Sequence, residues 1–299
     1  MSNFNYRAFG INFYSEVELP ELVPHDGRPD VNIFLGKTVQ IIPGKNHSKI
    51  LKADDMEVLY EINNVARCHV IEGQRVIIEP HENVSKSTLR LLILTSVMGC
   101  IFYQRKLIPV HGGAVTESNR CIVLMGNSGA GKSTLTSAFL KEGYQFLSDD
   151  VAIISHHPLN GLEVEPGYPY RKLKSDSLQY FSYNVNELER IEHEEDKYLV
   201  PVKQFFSKQP APLHAMIEIV PADVENASIE AIDGIKKLQI IFSNLYRSQF
   251  IKFFNLEEYY FSKLSEIASK VKILRITRPI TSYTCEKQMQ LIREQLQWI

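Results

Sequence analysis

Gly126-Asn127-Ser128-Gly129-Ala130-Gly131-Lys132-Ser133 fits the pattern G-x-x-x-x-G-K-[ST] at every fixed position. Its surroundings fit as well. Cys121-Ile122-Val123-Leu124-Met125 precedes it and reads as a buried strand. Ser133 to Glu142 follows and reads as a helix closed by Gly143. Gly126, Gly129 and Gly131 allow backbone N–H groups to turn inward around phosphates. The helix starting near Lys132 adds the positive end of its dipole. Lys132 is expected to reach the β- and γ-phosphates of a nucleotide, and the Ser133 hydroxyl to take a Mg²⁺ coordination site. Asn127, Ser128, Ala130 and Thr134 complete the nucleotide-binding set. The motif alone does not establish catalysis.

Ser148-Asp149-Asp150-Val151 comes next, with Asp149 17 residues after Lys132. The spacing predicts a short return, from helix straight back to a strand adjacent to the first, with two carboxylates at its end. One carboxylate can hold Mg²⁺ and the other can accept the proton of an attacking hydroxyl. The plainer alternative is a surface turn. Upstream, His111-Gly112-Gly113 places His111 21 residues before Lys132. Taken alone, that triplet reads as a turn with a bystander histidine. The remaining histidines (His25, His47, His69, His81, His156, His157, His193 and His214) form no metal-ligand spacing and read as structural or exposed.

The whole chain agrees with a globular α/β protein. Its 299 residues are 44% hydrophobic and 23% charged, enough apolar surface to exclude general disorder. Gly 15 and Pro 14 follow no period, which excludes collagen-like sequence. A net charge of −2 argues against a dedicated nucleic-acid binder. Cys68, Cys100, Cys121 and Cys285 form no C-x-x-C pair and read as buried reduced thiols of a cytoplasmic protein. The first residues do not resemble a signal peptide. The most apolar run, Leu91 to Tyr103, falls short of the roughly 20 residues that a membrane span needs and reads as a core helix. The expected organisation is a β-rich N-terminal domain over 1–82, a linking helix over 83–108 and a larger α/β domain over 109–299. Within the last, 155–212 reads as loop-rich, Ile235 to Phe254 and Leu256 to Lys270 as helices, and Glu286 to Gln297 as a closing helix.

His111-Gly112, Gly126–Ser133 and Asp149-Asp150 together resemble the catalytic core of the HPr serine kinase/phosphorylase family, including the Gly143 to Asp150 approach to the acidic pair. The resemblance implies a P-loop kinase domain of the HPr kinase/phosphoenolpyruvate carboxykinase type. It implies Asp149 as the general base, Asp150 as a Mg²⁺-side carboxylate, and His111 as a partner of the base. The chain departs from the bifunctional enzymes at Gly167 to Leu173 and at Lys197 to Val202, where their two characteristic loops stand. It is more similar to the HPr-kinase-like proteins encoded with lasso peptide biosynthesis. Those share the patterns at Tyr6 to Gly10, Ser15 to Leu22, Gln104 to Gly112 and Ala211-Pro212-Leu213.

That resemblance implies ATP and Mg²⁺ as cofactors. It implies a precursor peptide with an acceptor serine, typically C-terminal, as partner, and Arg171 and Lys197 as phosphate contacts. Neither nucleic acid nor membrane is expected as a partner, and homo-oligomer formation is left open. The alternatives are a kinase acting on a folded HPr-type carrier or a small molecule, and a nucleotide-binding regulatory module without catalysis.

Overall fold

A computed structural model describes residues 3–39, 50–54, 56–191 and 196–298. His47 and His193 lie outside these residues. Contacts divide the chain into two units: Met1–Pro109 with Arg247–Tyr260, and Val110–Tyr246 with Phe261–Ile299. The sequence reading instead places boundaries at 82 and 108. By contact, the helix after residue 82 groups with the N-terminal strands, and the distant segment Arg247–Tyr260 joins them.

The first unit holds β1 (Phe4–Ala8), β2 (Ile11–Ser15), β3 (Val23–Pro24), β4 (Val31–Leu35), β5 (Ile50–Ala53), β6 (Glu57–Ile62), β7 (Ala66–Ile71) and β8 (Arg75–Pro80). They form one sheet in the order β3-β1-β2-β4-β8-β7-β6-β5. In β2 the residues Ile11, Phe13 and Ser15 are buried while Asn12 and Tyr14 are not, the alternation of a half-buried strand. The β7–β8 hairpin turns at Glu72-Gly73, both with positive φ (53° and 60°), which suits the twist of the flanking strands.

A helix then runs Lys86–Gln104, started by Ser85, whose side chain accepts the Thr88 N–H. Its parts are α1 (Lys86–Leu92), a π-helical stretch Ile93–Val97, and α2 (Met98–Gln104). The 19 residues are long and apolar enough to cross a membrane by length and composition. In the folded chain Leu92, Ile93, Val97, Met98 and Ile101 are buried, and Phe102 packs edge-on against Phe9 at 5.1 Å. This is the packing of a core helix. All four cysteines are free and buried, and burial pushes the Cys68 thiol up to about 12.

The second unit begins with β9 (Ile108–Glu117), β10 (Arg120–Met125), α3 (Lys132–Lys141), β11 (Gln145–Ser148), β12 (Val151–His157), β13 (Gly161–Glu165) and β14 (Tyr170–Lys174). It continues with α4 (Ser175–Tyr180), β15 (Glu189–Arg190), β16 (Lys197–Pro201), β17 (Ala211–Ala222), β18 (Ser228–Ile232) and α5 (Ile235–Ser243). After α6 (Gln249–Phe253) in the first unit come α7 (Glu257–Lys270), β19 (Lys272–Pro279) and α8 (Cys285–Leu296). The heart of this unit is parallel: β10 pairs with β17, and β17 with β19. Cys121–Met125 is buried throughout, as a strand covered on both faces must be. Leu135 and Phe139 of α3 and Met289 and Ile292 of α8 join Ile217 and Leu274 in one core. Each such side chain contributes about 1.5–3 kcal/mol by burial.

Four expectations change here. The chain does not return from α3 beside β10; β11 pairs with β9, which separates it from β10. The stretch 155–212 is not mainly loop but holds β13 and the three-stranded sheet β14-β16-β15. The helix expected over Ile235–Phe254 breaks after Ser243, with Arg247 in the left-handed region at φ 53°. Strand β18, which the sequence reading omits, forms the edge beside β19.

Candidate active site

The glycine-rich loop joins β10 to α3. Gly131 is the N-cap of α3 at φ 102°, a conformation that strains any residue with a side chain. A Cβ there would also come within 3.1 Å of the Arg278 guanidinium. No side chain caps the first turn of α3, which leaves its leading N–H groups without a side-chain acceptor.

Three side chains brace the loop from outside. Asn244, at the C-cap of α5, is 7% exposed. Its Oδ1 accepts the Gly126 N–H at 3.0 Å, and its carbonyl accepts the His111 N–H at 2.7 Å. Arg171 is 1% exposed; its guanidinium donates to Ser137 Oγ at 2.9 Å and to the Ser133 carbonyl, and lies over the Phe146 ring. Arg278 donates to the Ala130 and Gly129 carbonyls at 2.8 and 3.2 Å. Arg171 is therefore engaged with α3 and does not line the cavity described next. β14 alternates and turns Arg171 inward with Leu173.

Within the loop, Lys132 Nζ donates to the Gly126 and Asn127 carbonyls at 2.6 and 3.2 Å and lies 3.3 Å from His111 Nε2. Burial lowers its pKa, and Lys197 adds to this, while Asp149 and Asp150 oppose it. An ammonium on Nε2 makes that nitrogen the acceptor, which assigns the proton of His111 to Nδ1. Nδ1 then donates to the Asp150 carbonyl at 3.0 Å, and it lies 3.5 Å from the Asp150 carboxylate. Burial first, and Lys132 next, lower the His111 pKa below its ordinary value.

His111-Gly112-Gly113 is thus not a turn but the middle of β9. A side chain at Gly113 would meet Thr136 Oγ1 at 3.0 Å and Asp149 Oδ1 at 3.6 Å, so the glycine lets β9 pass beside the acidic pair.

The two aspartates have different neighbours. Ser133 Oγ donates to Asp149 Oδ1 at 3.5 Å, and the Lys172 N–H donates to Asp149 Oδ2 at 2.9 Å. Asp150, at φ 66°, faces His111, and its carboxylate lies 3.8 Å from Lys172 Nζ. The hydroxyl of Ser133 and the carboxylate of Asp149 are hard oxygen donors of the kind Mg²⁺ takes.

A cavity of about 440 Å³ brings most of the expected residues together: His111, Lys132, Ser133, Thr134, Asp149, Asp150 and Lys197 all line it, with Ser128, Gly129 and Gly131. Gly126, Asn127 and Ala130 shape the loop without lining the cavity. Lys172 and Lys174 of β14 and Arg278 also line it. Sequence reasoning missed Asn244 and Arg278. No local pattern marks either, since each meets the loop from a distant part of the chain.

No family model matches the chain, and no curated protein matches it. Among solved structures, it is similar to the Hpr(Ser) kinase/phosphatase from Coxiella burnetii. The match has 15% identity and a TM-score of 0.33 and covers 62% of this chain and 95% of that one.

Proposed function

We propose that the chain is an ATP-dependent kinase that transfers the γ-phosphoryl group to a serine hydroxyl, that of the C-terminal serine of a lasso-type precursor peptide. The observation that carries this reading is the convergence of Lys132, the Ser133–Asp149 pair and the His111–Asp150 pair on one cavity at the mouth of the glycine-rich loop. The loop N–H groups and Lys132 hold the phosphates. Ser133 and Asp149 hold Mg²⁺, which when bound draws charge from the transferred group. Asp150 takes the proton of the acceptor hydroxyl as its oxygen bonds to the γ-phosphorus, and the bond to the β-phosphate breaks to release ADP.

This assignment exchanges the roles that the family resemblance implies for the two aspartates. The hydroxyl that belongs to the metal reaches Asp149, and the histidine reaches Asp150. His111 meets Asp150 at its backbone carbonyl and lies 3.5 Å from its carboxylate, and Asp150 lines the cavity. A C-terminal serine brings an α-carboxylate next to the reacting hydroxyl. Lys172, Lys174 and Lys197 line the cavity and suit that charge. Arg171, engaged with α3, does not take this role.

Mass spectrometry after incubation with Mg-ATP tests the reading against four acceptors: a precursor peptide ending in serine, its C-terminal amide, a form with the serine moved inward, and HPr. Gain of one phosphoryl group by the free-acid peptide, with a lower kcat/KM for the amide, is the expected result. Phosphorylation of HPr alone would replace the reading with the HPr-kinase alternative. Nucleotide binding without transfer to any acceptor would favour the regulatory module.

A further inference from the structure

We propose that the part of the cavity beyond Thr134 is a nucleoside subsite in which a planar base stacks on Tyr283; this rests on the nucleotide-binding reading above. Lys132, Ser133 and the two aspartates fix the end of the cavity where the terminal phosphate sits. The nucleoside must leave the loop away from that end. Beside these residues the cavity is lined by Thr134, whose hydroxyl is 3.2 Å from Ser177 Oγ, by Ser177 and Asp176, and by the segment that joins β19 to α8.

Tyr283 stands on that segment and is 47% exposed. Its ring is stacked on Tyr180, with centroids 4.5 Å apart and planes 13° apart. Tyr180 covers one face of the Tyr283 ring, and Tyr283 lines the cavity while Tyr180 does not. The pair is held in place before any ligand arrives. The Tyr180 hydroxyl donates to Glu286 Oε1 at 3.2 Å. Burial, followed by the adjacent Asp176 carboxylate, raises the Tyr283 pKa, so its hydroxyl stays a protonated donor beside Asp176. A fixed aromatic face receives any base, because every base has a π-face.

Gln288 supplies a polar edge. It lines the cavity, is 3% exposed, and its Nε2 donates to Thr284 Oγ1 at 3.0 Å. A glutamine Oε1 accepts from an N–H, which suits a base with an exocyclic amine.

Equilibrium binding of Mg-ATP and of Mg-bound inorganic triphosphate to the full chain, and to Tyr283→Ala and Tyr283→Phe, tests the subsite. The wild type should bind ATP more tightly than triphosphate. Tyr283→Ala should lose about 5- to 150-fold in ATP affinity, the range for one stacked base, and keep its triphosphate affinity. Tyr283→Phe should bind both as the wild type does. Equal wild-type affinities for ATP and triphosphate would overturn the subsite without touching the phosphate reading, and this comparison needs no variant to fold. A Tyr283→Ala protein that keeps its ATP affinity, or loses both ligands equally, would also overturn it. Failure of the wild type to bind either ligand would overturn the nucleotide-binding reading and the subsite with it.

Discussion

The glycine-rich loop and the β14–β16 edge border the same cavity and are held in opposite ways. The loop is gripped from behind by partners that the solvent does not reach, Asn244 and Arg171. The edge offers Lys172, Lys174 and Lys197 from two paired strands, and Lys174 is exposed. A buried donor or acceptor that loses its partner costs about 1–3 kcal/mol, because its desolvation is no longer offset. An exposed charge works in screening solvent and is worth well under that. The loop is thus the part that cannot change without the fold noticing. The edge is the part free to be matched to an acceptor.

The largest expected effect lies on the loop. Lys132→Ala should lower transfer by on the order of 10³-fold or more, the scale of removing a fixed cation from a transferring phosphoryl group, and should weaken nucleotide binding. Steady-state rates with any accepted substrate check this, and full activity would make the loop a bystander.

The acidic pair should follow. Asp150→Asn should keep Mg-ATP binding and lose roughly 10²- to 10⁴-fold in turnover, the usual worth of a general base. Asp149→Asn should instead raise the Mg²⁺ concentration needed for half-maximal rate. Titrating rate and ATP binding against Mg²⁺ separates the two, and swapped phenotypes would restore the assignment that the resemblance implies.

Arg171→Met sharpens the contrast between back and edge. It should lower the urea unfolding free energy by about 1–3 kcal/mol, since Ser137 and the Ser133 carbonyl lose a buried donor. Normal stability with selective loss of nucleotide affinity would return Arg171 to the phosphates.

Lys174→Ala and Lys197→Ala should leave unfolding within about 0.5 kcal/mol of the wild type. They should raise the acceptor KM a few-fold, with the difference shrinking as salt rises. An unchanged KM at low salt would remove these lysines from acceptor binding.

The smallest effect concerns pH. His111 is held neutral, with its pKa below the ordinary 6.5. The unfolded chain therefore binds a proton there before the folded one does. Stability should fall as pH drops from 6.5 through the lowered folded value. Thermal melts against pH should show this loss in the wild type and a smaller one in His111→Gln.

What was legible in the sequence was local. The loop, the apolar run before it and the helix after it lie within some 20 consecutive residues, and their chemistry follows from residue type. The acidic pair is linked to the loop by its spacing and His111 only by the family resemblance, and residue type alone does not divide the roles between the two carboxylates. What separates them is a hydroxyl on one side and an imidazole on the other, and both distances depend on β9 lying between β10 and β11. Arg171 and Lys172 are adjacent cations in the sequence, and the strand's alternation sends one inward and one to the cavity. The strands of 155–212 were missed because they are short and carry few β-branched residues, so tertiary pairing and not propensity forms them. Asn244 left no trace at all.

That last contact also sets a clock. Asn244 holds Gly126 across 118 residues of chain. Strand β10 gains its parallel neighbour only when Leu213 onward has been made, and that neighbour gains its own from Lys272 onward. At ribosomal speeds of about 5–20 residues per second, the interval between Gly126 and Asn244 lasts roughly 6–24 s. Until Leu213 onward is made, the five-residue run Cys121–Met125 has β9 as its strand neighbour and α3 on one face, but not its parallel partner. The nascent chain therefore carries an apolar strand with one edge unpaired for several seconds. Chaperone dependence during synthesis, more than stability once folded, is where slow translation or a truncated C-terminus would be felt.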